Sequence, residues 1–335
     1  MNILVTGGAG FIGSHTCVAL VESGWKPIIV DNFSNADRGV LQGLNRIFGK
    51  TPVCYEADCN NLERMVHILQ KEEIDGVIHF AAYKAVGESV VEPIKYYENN
   101  IGSLLTVLKA MQETDVTKLV FSSSCTVYGQ PDVVPVTEDT PRKPAESPYG
   151  NTKAICEDVL RDAVHSGVSL QAVALRYFNP IGAHPSAEIG ELPVGVPANL
   201  IPYVTQSAAG LRPPVTIFGS DYNTPDGTCI RDYIHVMDLA EAHVKALAFL
   251  QNQPSSIYET VNVGTGKGSS VLEVLETFRN TVTPALQFVR GSRRAGDVEA
   301  TFASVEKAET CLGWSAKRSL EEALQDAWRW QLRLS

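Results

Sequence analysis

Three side chains of this sequence have the types and the spacing needed to move a proton on and off an alcohol. Tyr149 and Lys153 lie four positions apart, and Ser124 ends an apolar run upstream of them. On a helix, that spacing places Tyr149 and Lys153 on one face. We expect the ammonium group to favour the phenolate and to lower the tyrosine pKa from its ordinary value of about 10. The same spacing occurs on many solvated helices, so the elements around these residues must decide its meaning.

A glycine turn follows the first apolar run of the chain. Residues 2–6 predict a buried strand, and Gly7, Gly10 and Gly13 then open an amphipathic segment over residues 12–23. Glycines at this spacing allow a tight turn and a close approach of the backbone to a pyrophosphate, and the helix N-terminus offers N–H groups. The turn therefore predicts a dinucleotide-binding site.

Acidic side chains end the next two apolar runs. Asp31 ends the run over residues 27–31, and Asp58 follows the run over residues 53–57. A carboxylate at Asp31 can accept a hydrogen bond from a ribose hydroxyl, and it would repel the additional phosphate of NADP. We expect NAD as the cofactor, with Asp58 near the adenine.

Apolar runs alternate with helical patterns through the first half of the chain, and two further runs cover residues 76–80 and 119–122. Continuous apolar strands separated by helices predict a parallel sheet with helices on both faces. Later in the chain, glycines and prolines cluster and the predicted strands, 215–218 and 233–236, are isolated.

This change of pattern predicts two domains of an α/β protein. We expect a Rossmann-type, doubly wound parallel sheet that binds NAD over residues 1–180. A smaller mixed α/β domain that binds the substrate is expected over residues 181–335, and a helix over residues 319–332 closes the chain. A chain of 335 residues exceeds what a single core usually covers.

The composition limits the partners and the compartment. The chain carries a formal net charge of -10 and no block of Lys and Arg residues, which argues against nucleic acid and anionic membranes as partners. No apolar run approaches the roughly 18 residues that span a bilayer, and the first strand starts too early to leave room for a signal peptide. The 7 cysteines include no Cys-x-x-Cys pair, which indicates reduced thiols and a cytoplasmic protein.

Longer strings around these motifs resemble one family. Residues 5–15, 79–89, 121–129, 175–180 and 231–236 are similar to UDP-sugar 4-epimerases of the extended short-chain dehydrogenase/reductase family. The resemblance runs from the first strand to the last helix. It implies that the protein interconverts UDP-glucose and UDP-galactose through a transient 4-keto sugar and enzyme-bound NADH, with the NAD kept bound.

The resemblance also implies roles for individual residues. Tyr149 would exchange the proton of the sugar 4-hydroxyl, Ser124 would hydrogen-bond the same oxygen, and Lys153 would bind the nicotinamide ribose. With the glycine turn included, the predicted cofactor contacts are Gly7, Gly10, Phe11, Ile12, Gly13, Asp31, Asn32, Asn35, Asp58, Cys59, Phe80, Ala81, Ala82, Lys84, Asn99, Tyr149, Lys153 and Tyr177. The predicted substrate contacts are Lys84, Ser124, Tyr149, Asn179, Asn199, Leu200, Phe218, Arg231, Arg294, Asp297 and Thr301. Among these, Arg231 and Arg294 are the local cations that a diphosphate needs in a chain of negative net charge.

One departure from the family concerns the sugar. The family places a residue beside the C2 substituent that is often tyrosine in bacterial members, and this chain has Thr301 there. The smaller side chain leaves room for an N-acetyl group. Our hypothesis is that UDP-N-acetylglucosamine and UDP-N-acetylgalactosamine are substrates as well.

Other functions share parts of the pattern. Another NAD-dependent nucleotide-sugar epimerase or a 4,6-dehydratase would use the same fold, but a dehydratase needs an Asp-Glu acid–base pair directly after Ser124, where this chain has Cys125 and Thr126. A regulatory protein that senses NAD without catalysis would not need Ser124, Tyr149 and Lys153 together. The sequence disfavours both the dehydratase and the sensor.

Assembly and metal content complete the expectations. The resemblance implies a homodimer formed through helices near residues 102–112 and 152–164. The histidines show no metal-ligand spacing, so no metal is expected.

Overall fold

A seven-stranded parallel sheet organises the larger part of the protein. The structure, a computed structural model, describes residues 1–254, 256–294 and 297–334. In chain order, the strands are β1 (Asn2–Thr6), β2 (Lys26–Asp31), β3 (Val53–Glu56), β4 (Gly76–His79), β5 (Lys118–Ser124), β6 (Gln171–Tyr177), β7 (Asn179–Ile181), β8 (Val215–Phe218), β9 (Ile230–Arg231), β10 (Tyr233–His235), β11 (Ile257–Val263), β12 (Ser269–Ser270), β13 (Phe288–Gly291) and β14 (Ala300–Thr301). The helices are α1 (Phe11–Glu22), α2 (Gly39–Phe48), α3 (Leu62–Lys71), α4 (Val86–Val91), α5 (Pro93–Glu113), α6 (Pro148–His165), α7 (Leu200–Ala208), α8 (Val236–Leu250), α9 (Val271–Thr281), α10 (Glu306–Leu312) and α11 (Leu320–Leu334), and a short 3-10 helix covers Cys125–Tyr128.

The sheet has the strand order β3-β2-β1-β4-β5-β6-β11, with every pair parallel. Near its centre, Val5 pairs with Ile29 on one side and with Ile78 on the other, and all three side chains are fully buried. The chain runs outward from β1 to β3 and then returns to β4, which opens a crevice at the carboxyl ends of the strands beside β1. This is the Rossmann-type, doubly wound α/β fold that the sequence predicted.

Helices cover both faces of the sheet. α1 packs against α8 on one face, and α3, α5 and α6 pack on the other. β11 and α8 come from beyond residue 180 and still belong to this layer. The division into residues 1–180 and 181–335 stays a prediction, and the sheet layer takes one strand and one helix from the second range.

A smaller unit with mixed strand pairing lies beside the sheet. β9 pairs with β12 in antiparallel and with β14 in parallel, whereas β7 pairs with β10 and β8 with β13 in parallel. α7, α9 and α11 pack around a core that includes Ile201, Phe278 and Leu324. α9 begins sharply because Ser270 and Glu273 form a capping box.

Three findings bear on partners and chemistry. Within residues 1–254, 256–294 and 297–334, no helix combines the length and the apolar character needed to cross a bilayer. The same ranges contain no cluster of three His, Cys, Asp or Glu side chains arranged as metal ligands. All cysteines of the chain are free thiols.

Candidate active site

The glycine turn between β1 and α1 lies at the carboxyl edge of the sheet. Gly7 has a φ of +68°, and a Cβ atom there would lie 2.8 Å from the backbone nitrogen of Ala81. A Cβ atom at Gly13 would overlap the carbonyl oxygen of Gly7. Side chains at these two positions would force the turn away from the sheet and from the start of α1 at Phe11. The turn therefore leaves the helix N-terminus open to a pyrophosphate.

Asp31, at the end of β2, is hydrogen-bonded to the glycine turn. One carboxylate oxygen accepts a hydrogen bond from the Ala9 N–H at 3.0 Å, and the other accepts one from the Phe33 N–H at 2.9 Å. Burial raises the pKa of Asp31, and these two hydrogen bonds lower it. The carboxylate is thus fixed in place beside the turn, where the sequence predicted a ribose contact.

The other residues predicted near the adenosine surround Asp31. Asn32, Asn35 and Asp58 are exposed, whereas Cys59 is buried. Burial raises the pKa of the Cys59 thiol to about 12, so this thiol stays protonated and packs as a small apolar group. The three exposed side chains are open to solvent, and two of them are oriented by their own loops: Asn32 Oδ1 accepts from the Ser34 N–H at 3.0 Å, and Asp58 Oδ1 accepts from the Asn60 N–H at 2.8 Å.

Two hydroxyl groups meet where β5 ends and α6 begins. Ser124 is the last residue of β5, and Tyr149 lies in the first turn of α6. That turn is fixed because the Ser147 hydroxyl accepts a hydrogen bond from the Gly150 N–H at 3.2 Å. The Ser124 hydroxyl accepts a hydrogen bond from the Thr126 N–H at 3.2 Å and lies close enough to the Tyr149 phenol to lower its pKa, and both residues are buried. A pair of hydroxyl groups in this position can share a proton with a substrate oxygen.

Lys153 lies one helical turn after Tyr149 and is buried. Its Nζ donates a hydrogen bond to the Ser122 carbonyl oxygen at 2.7 Å and lies 5.0 Å from the centre of the Phe121 ring. Burial lowers the pKa of Lys153 to about 8. The ammonium form therefore predominates at neutral pH. The Ser122 hydroxyl also hydrogen-bonds the phenol of Tyr177, a predicted cofactor contact.

The expectation that Lys153 lowers the pKa of Tyr149 is wrong for the protein alone. Burial of the phenol raises the pKa of Tyr149 above its ordinary value, and the nearby Ser124 hydroxyl offsets only part of this rise. Lys153 Nζ lies 6.0 Å from the centre of the Tyr149 ring and donates to the Ser122 carbonyl oxygen. Desolvation of the phenolate outweighs an ammonium at that distance.

A buried polar network that the sequence analysis missed supports this cluster. Glu157, on α6, accepts a hydrogen bond from the Ser123 hydroxyl at 2.5 Å and is bound by Arg176 Nε at 2.9 Å and Nη2 at 2.6 Å. Arg176 Nη1 donates to the Tyr128 phenol at 3.1 Å, and that phenol donates to Asn262 at 2.6 Å. One residue could have indicated this network from the sequence: Arg176 is a charged side chain inside the apolar run of β6. The network holds α6 against β5 directly beside Ser124.

The residues predicted to bind the diphosphate and uridine come together in the smaller unit. Arg294 Nη2 and Nε lie 2.7 Å and 3.1 Å from the carboxylate oxygens of Asp297, and Arg231 Nη2 lies 3.8 Å from the same carboxylate. The Arg294 guanidinium lies 5.7 Å from the centre of the Phe218 ring. Thr301, the residue predicted beside the sugar, pairs with Arg231 across β14 and β9. Two guanidinium groups, a carboxylate and an aromatic ring thus form one cluster in the smaller unit.

Two buried polar atoms in this region have no partner within the described residues. They are the Asn179 side-chain oxygen and the Thr126 hydroxyl. Because buried polar atoms are nearly always hydrogen-bonded, these two atoms are suited to form hydrogen bonds with a polar ligand.

The other two residues predicted to bind the UDP moiety lie at the start of α7. Asn199 immediately precedes that helix, and Leu200 is its first residue.

Further predicted cofactor contacts follow β4 at the same sheet edge. The Phe80 ring packs 4.6 Å from the ring of the buried His243, and the Tyr177 ring packs 6.1 Å from it. Ala81 and Ala82 come next, and the last predicted contact on this side, Asn99, donates a hydrogen bond to the neighbouring Asn100. Lys84, two residues after Ala82, is exposed, and its Nζ forms an ion pair with Glu191 Oε1 at 3.1 Å.

The sheet, the glycine turn and the cluster of Ser124, Tyr149 and Lys153 define an extended short-chain dehydrogenase/reductase. Residues 4–327 match the family model described as GDP-mannose 4,6 dehydratase. A UDP-glucose 4-epimerase of Bacillus subtilis is 50% identical over 332 residues, which cover 99% of this chain and 97% of that protein. The chain belongs to this broad family and, within it, to the UDP-glucose 4-epimerases.

Solved structures agree with this assignment. A UDP-glucose 4-epimerase from Stenotrophomonas maltophila, with bound NAD and formylated UDP-arabinopyranose, has a TM-score of 0.96 at 48% identity and covers 100% of this chain and 98% of its own. A UDP-glucose 4-epimerase from Bifidobacterium longum, in complex with NAD+ and UDP, has a TM-score of 0.93 at 43% identity and covers 99% of this chain and 98% of its own. The similarity includes both the sheet layer and the smaller unit.

Proposed function

We infer that the chain interconverts UDP-glucose and UDP-galactose with an NAD molecule that stays bound. The observation that carries this inference is the position of the Ser124, Tyr149 and Lys153 side chains at the same sheet edge as the glycine turn and Asp31. A site with hydroxyl acid–base groups beside a dinucleotide turn fits reversible oxidation of an alcohol. The relatives solved with NAD and a UDP ligand support the choice of cofactor and substrate.

The residues present fit NAD. The conformation of Gly7 and the packing of Gly13 leave the N-terminus of α1 open to the pyrophosphate, and the fixed carboxylate of Asp31 is placed for a ribose hydroxyl. When bound, oxidised NAD supplies a hydride acceptor and a positive charge on its nicotinamide ring. We propose that Tyr177 contacts the nicotinamide and that Lys153 contacts its ribose.

Tyr149 is the proposed base and acid. Its phenol oxygen takes the proton of the sugar 4-hydroxyl and later returns a proton to the same oxygen, while the Ser124 hydroxyl holds that oxygen in place. Because burial holds the pKa of Tyr149 high in the protein alone, the phenolate needs positive charge beside it. The Lys153 ammonium supplies one such charge below about pH 8.

The side chains after Ser124 argue against a 4,6-dehydratase, although the matching family model carries that name. Dehydration needs an acid–base pair there, and this chain has Cys125 and Thr126. Burial raises the pKa of Cys125 to about 12, so the thiol neither gives nor takes a proton near neutral pH. A proton removed at the 4-hydroxyl therefore returns to it, and no water is lost.

The UDP moiety is proposed to lie between Phe218, Arg231 and Arg294. Guanidinium groups give forked, permanently charged hydrogen bonds to phosphate, and the Phe218 ring gives an aromatic face to the base. Asp297 holds both guanidinium groups at one carboxylate, which keeps them close together. The unpartnered side-chain oxygen of Asn179 is a further acceptor for a ligand donor.

Turnover without added cofactor tests the proposed function. We expect the purified protein to show the absorbance of a bound dinucleotide and to convert UDP-galactose into UDP-glucose with no NAD in the buffer. A protein that only senses NAD would show the absorbance without turnover. Formation of a 4-keto-6-deoxy sugar would instead show a dehydratase and would refute the proposal.

The small side chain of Thr301 predicts which UDP-sugars the protein accepts as substrates. Thr301 is buried and pairs with Arg231, and we propose that its small side chain leaves room for an N-acetyl group at C2. Thr301→Tyr should lower kcat/KM for UDP-N-acetylglucosamine by roughly 100-fold, because a pocket that excludes a group by its size reaches discrimination of this order. The value for UDP-glucose should change by less than about threefold in the same assay.

The control for this prediction is Thr281→Tyr, which places the same side chain on the exposed end of α9. It should leave both specificity constants unchanged. If the unmodified protein does not convert the acetylated sugar at all, Thr301 does not provide the proposed room.

Two further proposals concern assembly and location. We propose a homodimer through α5 and α6, which pack against each other and present apolar side chains such as the exposed Leu105. Sedimentation analysis of the purified protein tests this.

The free cysteines support the proposal of a reducing, cytoplasmic location.

A further inference from the structure

The Glu191 carboxylate joins two side chains that are predicted to contact the ligands from different parts of the fold. Its Oε1 accepts a hydrogen bond from Lys84 Nζ at 3.1 Å and another from Asn199 Nδ2 at 2.7 Å. Lys84 follows β4 of the parallel sheet, whereas Asn199 precedes α7 of the smaller unit. One oxygen therefore sets the separation between a cation and an amide on opposite sides of the site.

The backbone of Glu191 is held in place by the last helix. The Glu191 carbonyl oxygen accepts a hydrogen bond from the indole Nε1 of Trp330, on α11, at 2.9 Å. The Trp330 ring lies directly against Gly190, where a Cβ atom would overlap the indole. The Glu191 side chain is only 9% exposed, whereas that of Lys84 is 52% exposed. A largely buried carboxylate on an anchored backbone thus holds a half-exposed lysine.

We propose that Glu191 is a positioning residue for the UDP-sugar: it holds Lys84 and Asn199 in their binding positions before the substrate arrives. This inference rests on the proposed function, because it assigns both partners to substrate binding. Lysine and asparagine side chains that are already ordered lose less rotamer entropy when they bind a ligand. Glu191 touches neither the reacting hydroxyl nor the proton donors, so it acts on binding and not on the chemical step.

Steady-state kinetics on Glu191 variants test the proposal. For Glu191→Ala, we expect the KM for UDP-glucose to rise about tenfold while kcat stays within about twofold, since both partners lose their common acceptor. Glu191→Gln keeps an acceptor oxygen and loses the charge, so it should restore part of the affinity. Because Lys84 is also a predicted cofactor contact, bound NAD is measured in both variants, and a KM that rises only where NAD is lost would overturn the role in substrate binding.

Glu188 offers a matched control in the same loop. Its carboxylate is bound by Arg46 and Arg333 and makes no hydrogen bond to Lys84 or Asn199. Glu188→Ala therefore removes two ion pairs that hold the same loop and leaves the hydrogen bonds of Glu191 to Lys84 and Asn199 intact. Its KM should stay within about twofold of the unmodified protein. An equal rise in KM for Glu188→Ala would show that Glu191 only fastens the loop, and it would overturn the proposal.

A double-mutant cycle asks whether Glu191 acts through its two partners. In the background Lys84→Met with Asn199→Ala, adding Glu191→Ala should change KM by less than about twofold, because residues that act through one another are not additive. A full tenfold effect in that background, or an unchanged KM in Glu191→Ala alone, would refute the inference. Failure of the unmodified protein to turn over UDP-glucose would refute the proposed function itself, and the inference with it.

Discussion

Replacing Tyr149 with phenylalanine is expected to lower kcat by about 1,000-fold while NAD stays bound. The substitution removes a single oxygen atom, the phenol oxygen whose pKa the nearby Ser124 hydroxyl lowers. The ring is retained, so the packing of the first turn of α6 and the position of Lys153 persist. Without the phenol, water has to accept the proton of the sugar hydroxyl, and general acid–base catalysis of this kind contributes factors of about 100 to 10,000. The measurement is kcat for UDP-galactose together with the absorbance of the bound dinucleotide.

Tyr55→Phe is the control for this variant. Tyr55 lies in β3, and its phenol donates to Glu72 at 2.7 Å, near the amino edge of the sheet. Its loss should leave kcat unchanged. Full activity of Tyr149→Phe would show that Tyr149 is not the acid–base group. Loss of the bound dinucleotide would show that the substitution impairs cofactor binding.

The second large effect concerns stability. Arg176→Met should lower the free energy of unfolding by about 3 kcal/mol, because it removes the cation that makes two hydrogen bonds to a buried carboxylate. Glu157 is 2% exposed and Arg176 is 7% exposed, and two hydrogen bonds join them. The Ser123 hydroxyl and Arg142, whose Nη1 lies 3.7 Å from Glu157 Oε2, then remain as weaker partners for the charge. Urea unfolding followed by circular dichroism measures the change.

A double variant separates the lost charge pair from the lost packing. Glu157→Leu combined with Arg176→Met removes both charges, so it should recover at least half of the stability that Arg176→Met loses. If the double variant is instead as unstable as the sum of the two single variants, the pair contributes through shape and not through charge.

Those parts of the fold that depend on local sequence were predictable. The strand predictions for residues 2–6 and 215–218 coincide with β1 and β8, and the glycine turn joins β1 to α1 as expected. Continuous apolar residues and glycines impose these features wherever they occur. The predicted closing helix over residues 319–332 corresponds to α11, and its bounds differ slightly because helix ends depend on capping contacts.

Features that depend on distant partners were not predictable. β11 was missed because polar residues such as Glu259 and Asn262 interrupt its pattern, and its place is defined by pairing with β6. The direction of the Tyr149 pKa was wrong because the four-residue spacing carries no information about burial. Glu157 and Glu191 resembled ordinary surface acids, and only the tertiary structure shows that their carboxylates meet Arg176 and Lys84.

The late position of β11 also matters while the chain is being synthesised. Until the ribosome has released residues through Val263, β6 is an edge strand with an unpaired row of N–H and C=O groups. Open edges of this kind pair readily with other chains and favour aggregation. A nascent chain that ends near residue 180 therefore holds six of the seven strands of the sheet but lacks β11 and α8. We expect the cofactor layer to become a stable, non-aggregating unit only after the first part of the smaller unit has been made.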